Sequence, residues 1–508
     1  MHQSPRPSET FLYMKAGKSR LYFFGTISLM LLIAGMILFI KGNQETVFVY
    51  GLFAVATIAY LLFSYAIGIF SKEFNLKSHL LTVGLNNPEG RDQVDRPSID
   101  IYYPTCGEDY DIQLNALHHI VDLQKRWGEK CIIYILDDSK ENTSKPVFEK
   151  IRLRTANIVY ISRPDKGVLK KAGNMRNAFK ITNGKYIAVF DADFCPSSSF
   201  FEQTVPYLEN HADVAIVQTP QYFNTFEGTN WVQKGASYVQ ELFYRLIQVN
   251  RNHFGGAICV GTNAVYRRKA LEPFGGTADI AYSEDVRTGF RCLTIGYRIV
   301  YIPIILAKGL CPDTLPAYFI QQHRWALGSI DLFLSKEFWK AKLTIMQRLC
   351  YLSGMFYYIT TGLGVFFIYL PSLYLLIFKP HNILLFNALF SVPSFLFGTI
   401  YMANWNNSPW GWYAIKARIV AYHAHLFAFI ERLTNSITPW QATGVATKTK
   451  LYDKFQKLMF WKITVVTFTT LITVFIHYHE YGIVNFLPTL FFTGLNYYLY
   501  MTILRDQI

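Results

Sequence analysis

Residues 21–40 contain no charged side chain, and Lys15, Lys18 and Arg20 stand just before them. A helix needs about 20 apolar residues to cross a bilayer core, so this run predicts a membrane span. Five more runs follow, at 47–70, 351–378, 383–402, 463–476 with its flanks, and 484–504. Pro371 predicts a kink in the third. Residues 41–46 are a short link, which makes the first two spans a helical hairpin. No small-residue cleavage site follows the first run, so it reads as an anchor rather than a removed signal peptide. The stretch between the second and third spans has the length of one globular domain. The plan is two spans, a soluble domain, then four spans.

Charge placement orients that plan. Residues 1–20 carry four basic side chains and 404–459 carry seven, whereas the short loops on the other side carry only Lys41 and Lys379. The excess of Lys and Arg on one side predicts that both termini and the large domain are cytoplasmic, in a multi-pass protein of the plasma (inner) membrane. The net charge of +14 does not indicate a nucleic-acid partner, because the basic residues cluster beside the apolar runs. Any surplus in the domain suits a diphosphate or anionic lipid heads. Seven cysteines without a CxxC pair read as free thiols in a reducing compartment. Residues 335–349 and 412–432 are apolar but too short between charges to span, and predict amphipathic helices at the membrane interface.

Within the soluble domain, strand-like runs at 98–103, 131–136, 157–161 and 186–190 alternate with helical patterns at 112–126 and 171–181. This alternation predicts a mainly parallel α/β sheet, whose ligand sits beyond the carboxyl ends of the strands. Acids fall at those ends: Glu108 after the first, Asp137 and Asp138 after the second, Asp191 and Asp193 after the fourth. Asp191 and Asp193, spaced as D-x-D, predict one divalent ion, Mg2+ or Mn2+, shared with a diphosphate. Asp137 and Asp138 have turn or helix-cap duty as their alternative. Further on stand Ser283-Glu284-Asp285 and Gln321-Gln322-His323-Arg324-Trp325.

Taken together, these motifs resemble those of the family-2 processive glycosyltransferases, most closely the cellulose synthase-like branch. The resemblance covers nearly the whole chain. It implies a GT-A-type cytosolic domain, inserted between two membrane helices before and four after, with amphipathic interface helices. Thr105 and Glu108 fall in that family's P-T-x-x-E loop, and Asp137-Asp138 in its uridine-contacting pair. Lys171-Ala172-Gly173-Asn174 matches K-A-G-N, whose lysine approaches the diphosphate. Gln218-Thr219-Pro220-Gln221 is similar to a loop near the donor sugar, and Gly261-Thr262-Asn263 to one by the acceptor. Asp285 takes the place of the catalytic base, with Glu284 beside it as a structural or acceptor-positioning group. Gln321, Arg324 and Trp325 fit Q-x-x-R-W, in which Arg steadies the diphosphate and Trp stacks on the acceptor sugar. The implied division is 1–20 cytoplasmic segment, 21–71 hairpin, 72–334 catalytic domain and 335–349 interface helix. It continues with 350–403 two spans, 404–459 interface helix and gating loop, and 460–508 two spans.

Three departures stand out. Phe194 follows D-x-D where cellulose synthases commonly place a metal-binding His. The gating loop is present only as residues 440–445, with Thr443 kept and the lysine missing at Val445; Lys448 and Lys450 are the nearby substitutes. The carboxyl-terminal cyclic-di-GMP module is not expected here. The resemblance implies a UDP-sugar donor, most simply UDP-glucose, and a growing β-linked polysaccharide acceptor threaded through the spans. Hyaluronan- and chitin-type synthases share the catalytic set, so UDP-N-acetylglucosamine stays open. Transfer of one sugar to a polyprenyl phosphate, or an inactive scaffold, are the competing readings.

Overall fold

The computed structural model describes residues 3–14, 17–85, 96–223, 225, 228–405, 411–436 and 449–506. Its centre is a seven-stranded sheet in the order β3-β2-β1-β4-β8-β6-β9. These strands are β1 (Ile99–Thr105), β2 (Cys131–Asp137), β3 (Ile158–Ser162), β4 (Tyr186–Val189), β6 (Val214–Gln218), β8 (Ala264–Arg267) and β9 (Arg298–Tyr301). Every residue of β1 is buried. That is the signature of a parallel strand covered on both faces. Ile99, Ile101 and Tyr103 face the cluster holding Leu117 and Ile120 of helix Tyr110–Trp127. Tyr102 faces the opposite cluster, with Met175 and Ala178 of helix Lys170–Ile181. The period of two along β1 therefore builds both layers. Asp109 starts the first of these helices by accepting the backbone N–H of Asp111 and of Ile112.

One strand breaks the parallel rule, and the site depends on it. β8 runs antiparallel to both β4 and β6. Its leading loop, 261–263, therefore lies beside the carboxyl ends of those two strands. A small sheet of β5 (Cys195–Pro196), β10 (Ala307–Gly309) and β7 (Tyr222–Phe223) adjoins it. Residues 3–14 pack onto this sheet rather than trailing as a tail. Lys308 Nζ lies 2.8 Å from Glu9, Thr10 O accepts the Ile305 N–H at 3.0 Å, and Tyr13 is buried beside Arg245.

Among the described residues, four helices are long and apolar enough to cross a membrane: Lys18–Gly42, Gln44–Phe70, Ile345–Phe378 and Lys450–Tyr481. The third bends where expected, between Ile345–Phe367 and Leu370–Phe378, because Pro371 has no N–H to continue the ladder. Residues 383–402 do not form one helix. The 3-10 segment Leu385–Phe390 breaks at Ser391, beside Pro393, from a continuous helix in which the π-helical turn Phe397–Tyr401 follows Val392–Leu396. Helix Ile483–Arg505 has 23 residues and is not among those four, Asn485, Asn496 and its tyrosines lowering its hydropathy. Residues 335–349 also divide. Ser335 caps the short helix Lys336–Lys340, and a Thr344–Gln347 capping box starts a new helix at Ile345. The run at 412–432 forms helix Trp412–Thr434, which packs between helices Leu315–Leu334 and Ile345–Phe367.

Candidate active site

The D-x-D segment follows β4 and is held from both sides. Tyr103 of β1 donates its hydroxyl to Ala192 O at 2.9 Å, and Asp191 N–H donates to Thr262 Oγ1 at 2.9 Å. Burial, then the charges of Asp191 and Glu108, push the Asp193 carboxyl up to about 7. Such crowding of carboxylates fits a divalent cation, which would relieve it. Among the described residues no cluster of three or more His, Cys, Asp or Glu forms a complete cage. Phe194 turns into the core against Phe223, ring centroids 6.0 Å apart, and supplies no ligand. Asp191 and Asp193 are thus the two residues that would hold the ion. Such an ion would supply positive charge to a diphosphate bound beside them.

Lys171 joins this segment to the next. Its Nζ lies 2.5 Å from Asp191 Oδ1 and donates to Gly261 O at 2.9 Å. Burial opposes its charge, yet Asp191, Glu284 and Asp285 hold its pKa above the ordinary lysine value. Asp285 stands on the far side of Gly261, in the first turn of helix Glu284–Thr294. Gly261 has φ +78°, and a Cβ there would meet Asp285 Oδ2 at 2.9 Å, so only glycine allows the approach. Glu284 is buried, and burial followed by the Asp285 charge pushes its carboxyl up to about 7. Asp285 is more open, and its carboxyl is also raised, first by burial. Leu169, Lys170, Asn263 and Ser283 all hold left-handed φ values close to these residues. Strain of this kind collects at functional sites.

Helix Leu315–Leu334 presents a face to the cluster. Gln321, Arg324 and Trp325 are partly open, while Gln322, His323, Ala326 and Leu327 are buried. The i, i+3, i+4 spacing puts the three on one side. Burial lowers the Arg324 pKa, while Glu284, Asp191 and Asp285 offset it, which places this guanidinium in the field of the same acids. The helix comes close because Gly328 packs on Ser283, where a Cβ would meet Oγ at 2.0 Å.

Other expected residues turn inward. The Thr105 hydroxyl pairs with Ser144 Oγ at 2.7 Å. Asp137 is fully buried and accepts from Ser139, from Ser144 N–H at 3.0 Å and from the Tyr160 hydroxyl at 2.9 Å. Asp138 takes a bidentate pair from Arg163, at 2.7 and 2.8 Å, plus the Gly167 N–H. Asp137 thus also builds the turn at 137–144, while Asp138 clamps the segment 163–167. Glu108 accepts the Cys106 N–H at 2.6 Å, and burial raises its pKa. Thr443 and the gating loop lie outside the described residues, as does Lys448; Lys450 opens helix Lys450–Tyr481.

Three residues shape the site: Arg163, which the sequence reading does not name, and Thr262 and Gln218, which it names only as parts of loops. Arg163 clamps Asp138. Thr262 anchors Asp191. Gln218 stitches the acceptor-side loop by donating to Thr262 O at 2.8 Å and accepting the Val260 N–H at 3.0 Å. For Arg163 the available signal was a cation directly after the β3 run; for Gln218, a polar residue closing an otherwise apolar one.

Comparison with known proteins adds to this geometry. A family model described as Glycosyl transferase family group 2 matches residues 186–503. Over 266 residues the chain is 33% identical to "Cellulose synthase 1 catalytic subunit [UDP-forming]" of Komagataeibacter xylinus, covering 51% of this chain and 34% of that one. Over 352 residues it is 31% identical to the Komagataeibacter sucrofermentans "Cellulose synthase catalytic subunit [UDP-forming]", covering 67% and 45%. The matches therefore span less than half the length of either relative. The solved mannosyltransferase PcManGT from Pyrobaculum calidifontis, in complex with GDP-Man and Mn2+, superposes with a TM-score of 0.52 at 16% identity. That match covers 80% of this chain and 100% of that one, and is a likeness of fold.

Proposed function

Since this chain belongs to glycosyl transferase family group 2, in its cellulose synthase-like branch, we propose that it polymerises a UDP-sugar, UDP-glucose first among candidates, into a β-linked glucan. The relatives bearing the name UDP-forming cellulose synthase support the donor and the polymer. The observation that carries the reading is Lys171, whose Nζ lies 2.5 Å from Asp191 and 2.9 Å from the carbonyl of Gly261, the glycine that Asp285 packs on. One cation thus stands between the metal-binding motif and the proposed base.

Inverting transfer displaces UDP from the anomeric carbon in one in-line step. Asp285 takes the proton of the attacking acceptor hydroxyl, and its raised pKa brings it nearer the working pH than a free carboxylate. Glu284 lies beneath it and holds the acceptor side in place. Lys171 and Arg324 supply fixed positive charge to the departing diphosphate, Arg in a form suited to bidentate contact. A divalent cation held by Asp191 and Asp193 would add charge neutralisation on the same leaving group. Gln321 and Trp325 position the acceptor sugar, the indole by stacking. Each transfer lengthens the chain at the membrane side of the domain, so the polymer moves into the spans. The Lys and Arg distribution supports a cytoplasmic catalytic domain on a multi-pass inner-membrane protein.

The test is UDP release by purified protein with Mg2+ or Mn2+, comparing UDP-glucose, UDP-galactose and UDP-N-acetylglucosamine. Turnover of UDP-glucose is expected. Turnover of UDP-N-acetylglucosamine alone would move the product to the chitin or hyaluronan class.

A further inference from the structure

The short helix Lys336–Lys340 and the turn after it form a shelf just before the spanning helix that starts at Ile345. Leu334, Trp339, Ile345 and Met346 are exposed there, Ile345 at 77%. Lys336, Lys340 and Lys342 are exposed beside them, and none has an ion pair among the described residues. Glu337, the one acid of the shelf, points the other way, to Arg287 at 2.6 Å and Arg291 at 3.1 Å. The acid is spent inward and the cations are left outward, next to exposed apolar side chains and a membrane-crossing helix.

We propose that this shelf docks on the anionic headgroups of the leaflet and seats the helix that carries Asp285. The shelf's charge is complementary to anionic lipid, and its apolar side chains continue the lipid-facing surface of the span. The coupling to the site is direct. Arg287 and Arg291 sit on helix Glu284–Thr294, and Arg287 also pairs with Asp331 of helix Leu315–Leu334 at 2.6 Å. Phe338 is fully buried against Phe290 of the same base-bearing helix, centroids 5.9 Å apart. A shift of the shelf therefore shifts Asp285 relative to Trp325. The activity readout of this inference rests on the glycosyltransferase reading; the binding readout does not.

The experiment places the full chain in nanodiscs of phosphatidylcholine alone or with phosphatidylglycerol, and compares it with a Lys336→Gln/Lys340→Gln/Lys342→Gln variant. Quenching by brominated phosphatidylglycerol against brominated phosphatidylcholine, with Trp339→Phe subtracted, reports which lipid meets the shelf. Wild type should be quenched more strongly by the anionic lipid and release UDP severalfold faster with it. The triple variant should lose both preferences and keep the neutral-lipid rate. Equal quenching by the two lipids in wild type, or an unchanged preference in the variant, would overturn the proposal. A quenching preference with no UDP release in any lipid would keep the docking surface and count against the function proposed above.

Discussion

Glu284 and Asp285 are neighbours in sequence, yet one is buried and the other opens toward Gly261. Replacing the proposed base, Asp285→Asn, should lower UDP release by about 10²- to 10⁴-fold while leaving nucleotide affinity nearly unchanged. The Glu284 carboxyl, pushed up to about 7, binds a proton in the folded chain that the unfolded chain has already lost between about pH 4.5 and 7. Stability from this group is therefore lost as pH rises through that window. Glu284→Gln removes the loss, so its melting temperature should pull ahead of wild type from pH 5 to 7 and hold a constant lead above. Thermal unfolding without nucleotide measures this; a lead that shrinks with rising pH would contradict it. The acids Glu108, Asp137, Asp138, Asp191 and Asp193 were legible in the sequence, because strand-like runs end at them. Their employment was not. Asp138 is committed to Arg163, 25 positions along the chain, and nothing local announces that pair.

Two elements meet at close quarters to form the site, and glycines set the distance. Gly328→Ala would drive a Cβ into Ser283 and move helix Leu315–Leu334 off the base-bearing helix. A displacement near 1 Å costs about 100-fold in rate when reacting groups are misplaced, so kcat should fall by one to two orders while the fold persists. Circular dichroism beside steady-state kinetics checks this, and an unchanged kcat would refute the packing argument. The four leading strands and two helices lay within a residue or two of their expected places, because apolar alternation and the Asp109 cap are local signals. The antiparallel β8 was invisible in that pattern, since strand direction depends on partners far along the chain. The break in 383–402 was missed for another reason. Hydropathy sums over the run, whereas Pro393 acts at one peptide.

For the whole molecule, the governing arrangement is a sheet whose carboxyl-end site meets helices that lead to those long and apolar enough to cross a membrane. Helix Trp412–Thr434 ties this together by packing on both the Arg324 helix and Ile345–Phe367. The charge pattern behind the proposed orientation was legible in the sequence. The docking of residues 3–14 on the small sheet was not, because the partners Glu9 and Lys308 lie 299 positions apart, with two long apolar helices between them. The central claim is that transfer is processive and that the product leaves through the spans. Proteoliposomes holding the protein, supplied externally with radiolabelled UDP-glucose and Mg2+ or Mn2+, test it most directly. The account predicts high-molecular-weight β-glucan that an added β-glucanase cannot digest until detergent opens the vesicles. Labelled sugar appearing only on an added polyprenyl phosphate, one residue per lipid, would contradict it.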